Sequence, residues 1–166
     1  MTYNILALGG DGIGPEVLDS GIQVANAVAE KVNLDLSFNH DLLHGASWKK
    51  YGTFCRSETI TAALESDAVL VGAVGGPEWD GIKVEGGPEM QDGLMRLRKE
   101  MDAFVGLRPA KSYSALYGNT PFLHEHIDGA EILILREMCG GVMFSNPRGM
   151  SVGDEGRWAY DTASYS

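Results

Sequence analysis

Residues 3–17 read YNILALGGDGIGPEV, and the fold is decided here. Tyr3 to Leu8 is short and nearly all apolar, which predicts a buried strand. It runs into Gly9-Gly10-Asp11-Gly12-Ile13-Gly14, a density of glycine that demands a tight turn. Pro15 suits the first turn of a helix, where its missing N–H would have no intrahelical acceptor, and Glu16 favours the positive end of the helix dipole. Beyond it Val17, Gly21, Val24, Ala25, Val28 and Val32 keep a helical period, so a helix to about Lys31 follows.

Further along, Leu34, Leu36 and Phe38 alternate with polar residues and predict a second strand with one solvated face. Ser57 to Glu65 predicts a helix with Ser57 as N-cap. Ala68 to Val74 predicts a third buried strand closing on Gly75-Gly76-Pro77. Strand, helix, strand, helix, strand is the order of a parallel α/β sheet, and residues 1–103 are expected to form this first lobe. The glycine-rich stretch 77–90, PEWDGIKVEGGPEM, has no periodicity; loops of that length inside a compact domain are usually functional or mobile. After residue 103 the pattern changes. Phe104–Ala110, Glu131–Arg136 and Gly141–Ser145 are expected to be strands with no long helix between them, so residues 104–166 are expected to begin a second, sheet-rich lobe.

The junction of the two, GLMRLRKEMDAFVGLRP at 93–109, carries the arginines. On a helix Leu94, Leu97 and Met101 fall on one face, with Arg98 beside it, and Arg108 ends the apolar run that follows. Two converging guanidinium groups would seat a carboxylate bidentately, while isolated ones would be solvated surface charges; the residues alone leave both open.

The net charge of −10 argues against nucleic acid as a main partner, because phosphate binding needs a basic face, but allows a small anion held by a local arginine cluster. Cys55 and Cys139 lie far apart in no metal-like spacing, which fits a reducing compartment. The N-terminal MTYNILALGG has no basic region, and its apolar run is too short for a signal peptide or a span, so a cytoplasmic protein without membrane contact is expected. His40, His44, His124 and His126 fall in polar, loop-like surroundings and are expected at the surface. The spacing of His124 and His126 would point both rings one way only on a strand.

The glycine turn follows G-x-G-x-G, which differs from the G-x-G-x-x-G dinucleotide fingerprint, and no Gly-Lys-Ser/Thr follows it. Taken alone it is a tight strand-to-helix turn. Taken with AVLVGAVGGPEWDG, GLMRLRKEMDAFVGLRPA and LREMCGGVMFSNPRG, in that order, the chain from Ile5 to about Tyr165 resembles the isocitrate and isopropylmalate dehydrogenase family of β-decarboxylating dehydrogenases, the isopropylmalate branch above all.

This resemblance implies NAD-dependent oxidative decarboxylation of a 2-hydroxy dicarboxylic acid, with malate or tartrate as alternatives to isopropylmalate. It also implies a divalent Mg²⁺ or Mn²⁺ and a homodimer in a full-length form. Carried over by motif, Arg98, Arg108 and Arg136 would hold substrate carboxylates, and Arg96 would stay solvated. Leu94 would present an apolar side chain to the substrate or serve as a core leucine. Ile13 and Asp80 would border the cofactor, and Glu89 and Gln91 compete for one further cofactor role because the motif around them is longer by about two residues. Met143 stands where the family places a tyrosine that aids proton transfer, and a thioether donates no proton. Family members continue past this point to supply a catalytic lysine, metal-binding aspartates and an adenosine loop. The chain is therefore expected to be an N-terminal half, in which no metal ligand is assigned. A non-catalytic diacid-binding relative is the alternative.

Overall fold

The computed structural model describes residues 1–86 and 88–165, the side chains of Pro88 and Glu89 excepted. The chain divides into two compact units, Met1–Asp102 and Ala103–Ser166.

In the first unit β1 (Thr2–Gly10) is followed by α1 (Gly14–Val32), β2 (Asp35–Asp41), α2 (Gly45–Tyr51), α3 (Ser57–Glu65), β3 (Ala68–Ala73), the single turn α4 (Pro88–Gln91) and α5 (Gly93–Glu100). The three strands form a parallel sheet in the order β2-β1-β3, with Thr2 opposite Asp35 and Ile5 opposite Ala68. The chain thus leaves β1 to one side for β2 and returns past it to the other side for β3. Ligand crevices of open α/β sheets lie outside the carboxyl ends of strands at such a reversal.

The core gathers Leu6 and Leu8 of β1, Leu43, Cys55, Ile60 and Ala63 of α3, and Leu97 of α5. Leu94 and Met101 pack partly buried against the same cluster, so the expected face of α5 is the one that docks. Asp92 caps this helix, its Oδ1 accepting from the backbone N–H groups of Leu94 (2.8 Å) and Met95 (3.2 Å).

Several expectations are corrected. In α1 the buried residues are Gly14, Leu18 and Ala29. Val17, Val24, Val28 and Val32 are exposed, because the sheet meets the neighbouring face of the helix. β3 is half-buried rather than buried. The N-cap of α3 is Arg56, with Ser57 already helical. The seven-residue α2 is a helix the apolar pattern does not announce.

The second unit contains β4 (Val105–Lys111) and β5 (Glu131–Glu137), paired antiparallel, and a hairpin of β6 (Gly149–Gly153) and β7 (Gly156–Tyr160). A 3-10 helix (Ser114–Asn119) and α6 (His124–Ile127) lie between β4 and β5. The strand expected at Gly141–Ser145 is instead a 3-10 turn over Gly141–Met143. Gly141 has φ 67°, a left-handed conformation that breaks an extended run.

Candidate functional site at the carboxyl edge of the parallel sheet

Asp11 follows β1 directly and organises this edge. Its Oδ2 accepts from Gly75 N–H (3.0 Å), after β3, and from Gly45 N–H (3.2 Å), after β2, and its Oδ1 accepts from Ala46 N–H (2.8 Å). The same Oδ2 lies 2.7 Å from His44 Nδ1. One carboxylate therefore draws the loops after all three strands together. His44, expected at the surface, is 5% exposed. The expectation rested on polar neighbours in sequence, whereas burial is set by Asp11 and by the stacked ring of Phe54, 4.8 Å away between centroids.

Beside this node a cavity of about 340 Å³ is lined by His44, Gly75, Gly76, Trp79, Asp80, Ile82, Lys83, Gln91 and Asp92. Gly45 must be glycine here, since a Cβ would overlap the Trp79 indole. The structure thus brings the sequence candidates Asp80 and Gln91 to one cavity. Gln91 is partly committed: its Oε1 accepts from Val84 N–H (3.2 Å) and its Nε2 donates to the Val84 carbonyl, so it ties the glycine-rich loop to α4. Ile13, the residue before α1, is 63% exposed and is not among the residues lining that cavity. The side chain of Glu89 lies outside the described residues.

The arginines divide between the units. Arg98 is half-buried on α5. On the β4–β5 ribbon Arg108 is opposite Ile134 and Arg136 is opposite Gly106. The two arginines are therefore diagonal neighbours on one face, within reach of a shared anion. Among the described residues, no hydrogen bond or ion pair engages the guanidinium groups of Arg98, Arg108 or Arg136. Arg96 is not solvated, as expected from its position, but half-buried. Its Nη1 donates to the Cys55 carbonyl at 2.8 Å, which anchors α5 to the loop before α3. Leu94 is half-buried against the core.

A second carboxylate, Asp41, receives both its oxygens' bonds from Arg56 Nη2 (2.9 Å each), with Thr59 Oγ1 at 2.6 Å and Leu42 N–H at 2.8 Å. Burial alone would raise its pKa, but the bonds from Thr59, Leu42 and Arg56 outweigh it and hold the carboxyl below its ordinary 3.8. Burial pushes the Cys55 thiol up to about 11, which removes it as a nucleophile.

In the second unit Met143 ends the 3-10 turn, and its carbonyl accepts from Arg148 Nη2 at 3.0 Å. The Tyr165 hydroxyl stands 2.9 Å from where a Cβ on Gly141 would lie. His124 and His126 lie on α6, where a spacing of two turns the rings apart, and both are exposed. Among the described residues no group of three His, Cys, Asp or Glu side chains could hold a metal ion, so the donors present do not fit the divalent cation implied by the resemblance.

A three-stranded parallel lobe with its crevice at a strand reversal, followed by an arginine-bearing antiparallel ribbon, is the architecture of a family rather than of one enzyme. The family model for isocitrate/isopropylmalate dehydrogenase matches residues 4–166, and the chain belongs to this family. The chain is 41% identical to the 3-isopropylmalate dehydrogenase of Hydrogenovibrio crunogenus, over 100% of its own length and 46% of that protein. It is 43% identical to that of Pseudomonas savastanoi pv. phaseolicola, over the same shares. The chain thus spans about half the length of these curated relatives. Among solved structures, a β-decarboxylating dehydrogenase from Thermococcus kodakarensis is 26% identical with a TM-score of 0.63, over 98% of this chain and 41% of that one. Isocitrate dehydrogenase from Methylococcus capsulatus, 20% identical, shares the fold with a TM-score of 0.72 over 99% and 43%.

Sequence reasoning missed Asp11 and His44 as site residues. Their signal was available only in part: an aspartate inside a run of glycines, where a further glycine would have served the turn equally well.

Proposed function

We propose that the chain is the substrate- and cofactor-receiving half of an NAD-dependent dehydrogenase that oxidatively decarboxylates a 2-hydroxy dicarboxylic acid, with 3-isopropylmalate the favoured substrate. Identity of 41–43% with 3-isopropylmalate dehydrogenases over the whole chain carries this proposal. Arg98, Arg108 and Arg136 hold the substrate carboxylates, and the absence of competing partners for their guanidinium groups among the described residues supports that role. Leu94 offers an apolar surface to the alkyl branch of the substrate.

The nicotinamide end of the cofactor occupies the cavity beside Asp80 and Gln91, with Glu89 as a further neighbour and Ile13 toward the rest of the dinucleotide. At about 340 Å³ the cavity is at the small end of ligand pockets, which run from about 300 Å³ upward, and accepts one ring rather than a whole dinucleotide. When bound, NAD supplies the hydride acceptor. The chain's own residues bind, orient and keep water from the reacting carbon. The working form is a homodimer.

A full-length form carrying this chain is assayed for NAD reduction across 3-isopropylmalate, malate and tartrate, with and without a divalent cation. Turnover selective for 3-isopropylmalate is the expected result, and no reduction with any of the diacids overturns it. Met143 favours one second reading, a diacid-binding relative without turnover. In that case calorimetry shows diacid binding that Arg108→Ala abolishes, with no NAD reduction.

A further inference from the structure

His44 is held in a way that the dehydrogenase chemistry above leaves unused. Its backbone lies at φ 56°, ψ −129°, a region that favours glycine. A side chain is kept in such a conformation only where its surroundings over-determine it, and such strain concentrates at functional positions. Three contacts determine it here: Nδ1 to Asp11 at 2.7 Å, the ring stacked on Phe54 at 4.8 Å, and its backbone N–H to the Phe54 carbonyl at 2.7 Å.

The Asp11 carboxylate already accepts three backbone N–H groups, and as an acceptor it obliges His44 Nδ1 to carry the hydrogen. In the neutral ring Nε2 then presents a bare lone pair. Among the described residues no donor meets that lone pair. Nor is Nε2 one of the side-chain atoms sealed from solvent without a partner, which are Ser47 Oγ, Arg56 Nε and Trp79 Nε1. His44 lines the cavity that Gly75, Gly76, Trp79 and Asp80 complete.

We propose that His44, oriented by Asp11, is the residue by which this cavity selects the carboxamide of a nicotinamide ring. The amide N–H donates to Nε2, whereas a carboxylate in the same place sets lone pair against lone pair. Asp11 is the positioning residue that fixes the tautomer. This inference rests on the nicotinamide end of the cofactor occupying the cavity.

The test uses ¹⁵N-labelled protein and two probes that differ only in this group, nicotinamide mononucleotide and nicotinate mononucleotide. The His44 imidazole is expected to show the Nδ1–H tautomer. The amide probe shifts Nε2, the Trp79 indole and the Gly75 amide, and binds about five- to tenfold more tightly than the acid, the worth of one hydrogen bond made rather than opposed. His44→Phe keeps the ring stack and brings the ratio to about one. His44→Gly relieves the backbone and does the same, with the Gly75 amide reporting that the loops remain folded. Equal affinity of the unmutated protein for the two probes, tighter binding of the acid, or an Nε2 that carries a hydrogen, overturns the inference and leaves the cofactor assignment standing. Binding of neither probe overturns both.

Discussion

Asp41 shows what a single side chain does in this protein. Its carboxylate is 17% exposed and takes two bonds from one guanidinium nitrogen, so the Asp41–Arg56 pair is more than a surface ion pair. Arg56 in turn lies 4.1 Å over the Tyr51 ring, which fixes the guanidinium plane. Because the carboxyl is held below its ordinary 3.8, the folded state binds the proton less readily than the unfolded chain does. The stability this contributes is fully present above the unfolded value and is lost as pH falls through the lower folded one. Asp41→Asn is expected to lower stability at pH 7 by roughly 2 kcal/mol, since it weakens a charge-assisted bond and leaves Arg56 under-paired. It is also expected to flatten the acid limb of a melting-temperature curve below about pH 4. Thermal melts of both proteins across pH check it, and parallel acid limbs would remove Asp41 from the account. Neither Asp41 nor Asp11 announces its role in sequence. Their partners are Arg56 and Thr59 in one case and Ala46 and Gly75 in the other, and such pairs are made by topology, not by spacing along the chain.

At the scale of elements, α1, β2 and α5 carry a period that declares their type, β1 declares itself as a short apolar run, and Leu97 at 2% exposure is where the face of α5 predicts it. The failures share a physical cause. α2 has only seven residues, too few for an apolar period to emerge. The expected strand at Gly141–Ser145 was apolar enough, but Gly141 takes a positive φ. The exposed valines of α1 keep a helical period without saying which neighbour the helix meets. The cap of α5 is Asp92, which precedes Gly93-Leu94 and bonds two of the helix's unpaired N–H groups. Asp92→Ala is expected to cost about 1 kcal/mol, measured by chemical denaturation. Arg98, carried on that helix, is expected to lose diacid affinity along with it. An unchanged midpoint would mean that the Leu97 contact alone fixes the helix.

The whole molecule is uneven in how much it buries. The core that joins β1, α3 and α5 lies in the first unit. In the second, every residue of β5 is exposed, with Leu133 at 58% and Leu135 at 65%. Backbone amides exchange slowly where opening must break packed structure and quickly where it need not. Hydrogen exchange on the 166-residue chain is therefore expected to protect Leu6–Leu8 by several orders of magnitude more than Ile132–Leu135, and equal protection would contradict it. The ribbon that carries Arg108 and Arg136 is thus expected to open more readily than the first unit's core. The bonds of Asp11 carry one more consequence, for the order of events in folding. They reach across 33 to 35 residues to His44, Gly45 and Ala46, and across 64 to Gly75. Contacts between residues so far apart form only after the intervening chain has closed, and the strand pairings of Thr2 with Asp35 and Ile5 with Ala68 close over the same loops. A ribosome would have to release Gly75 before the carboxylate could find its last partner. β3 ends two residues before Gly75 and docks on β1 over the same loop, so the cavity beside Asp11 takes shape with the sheet rather than after it.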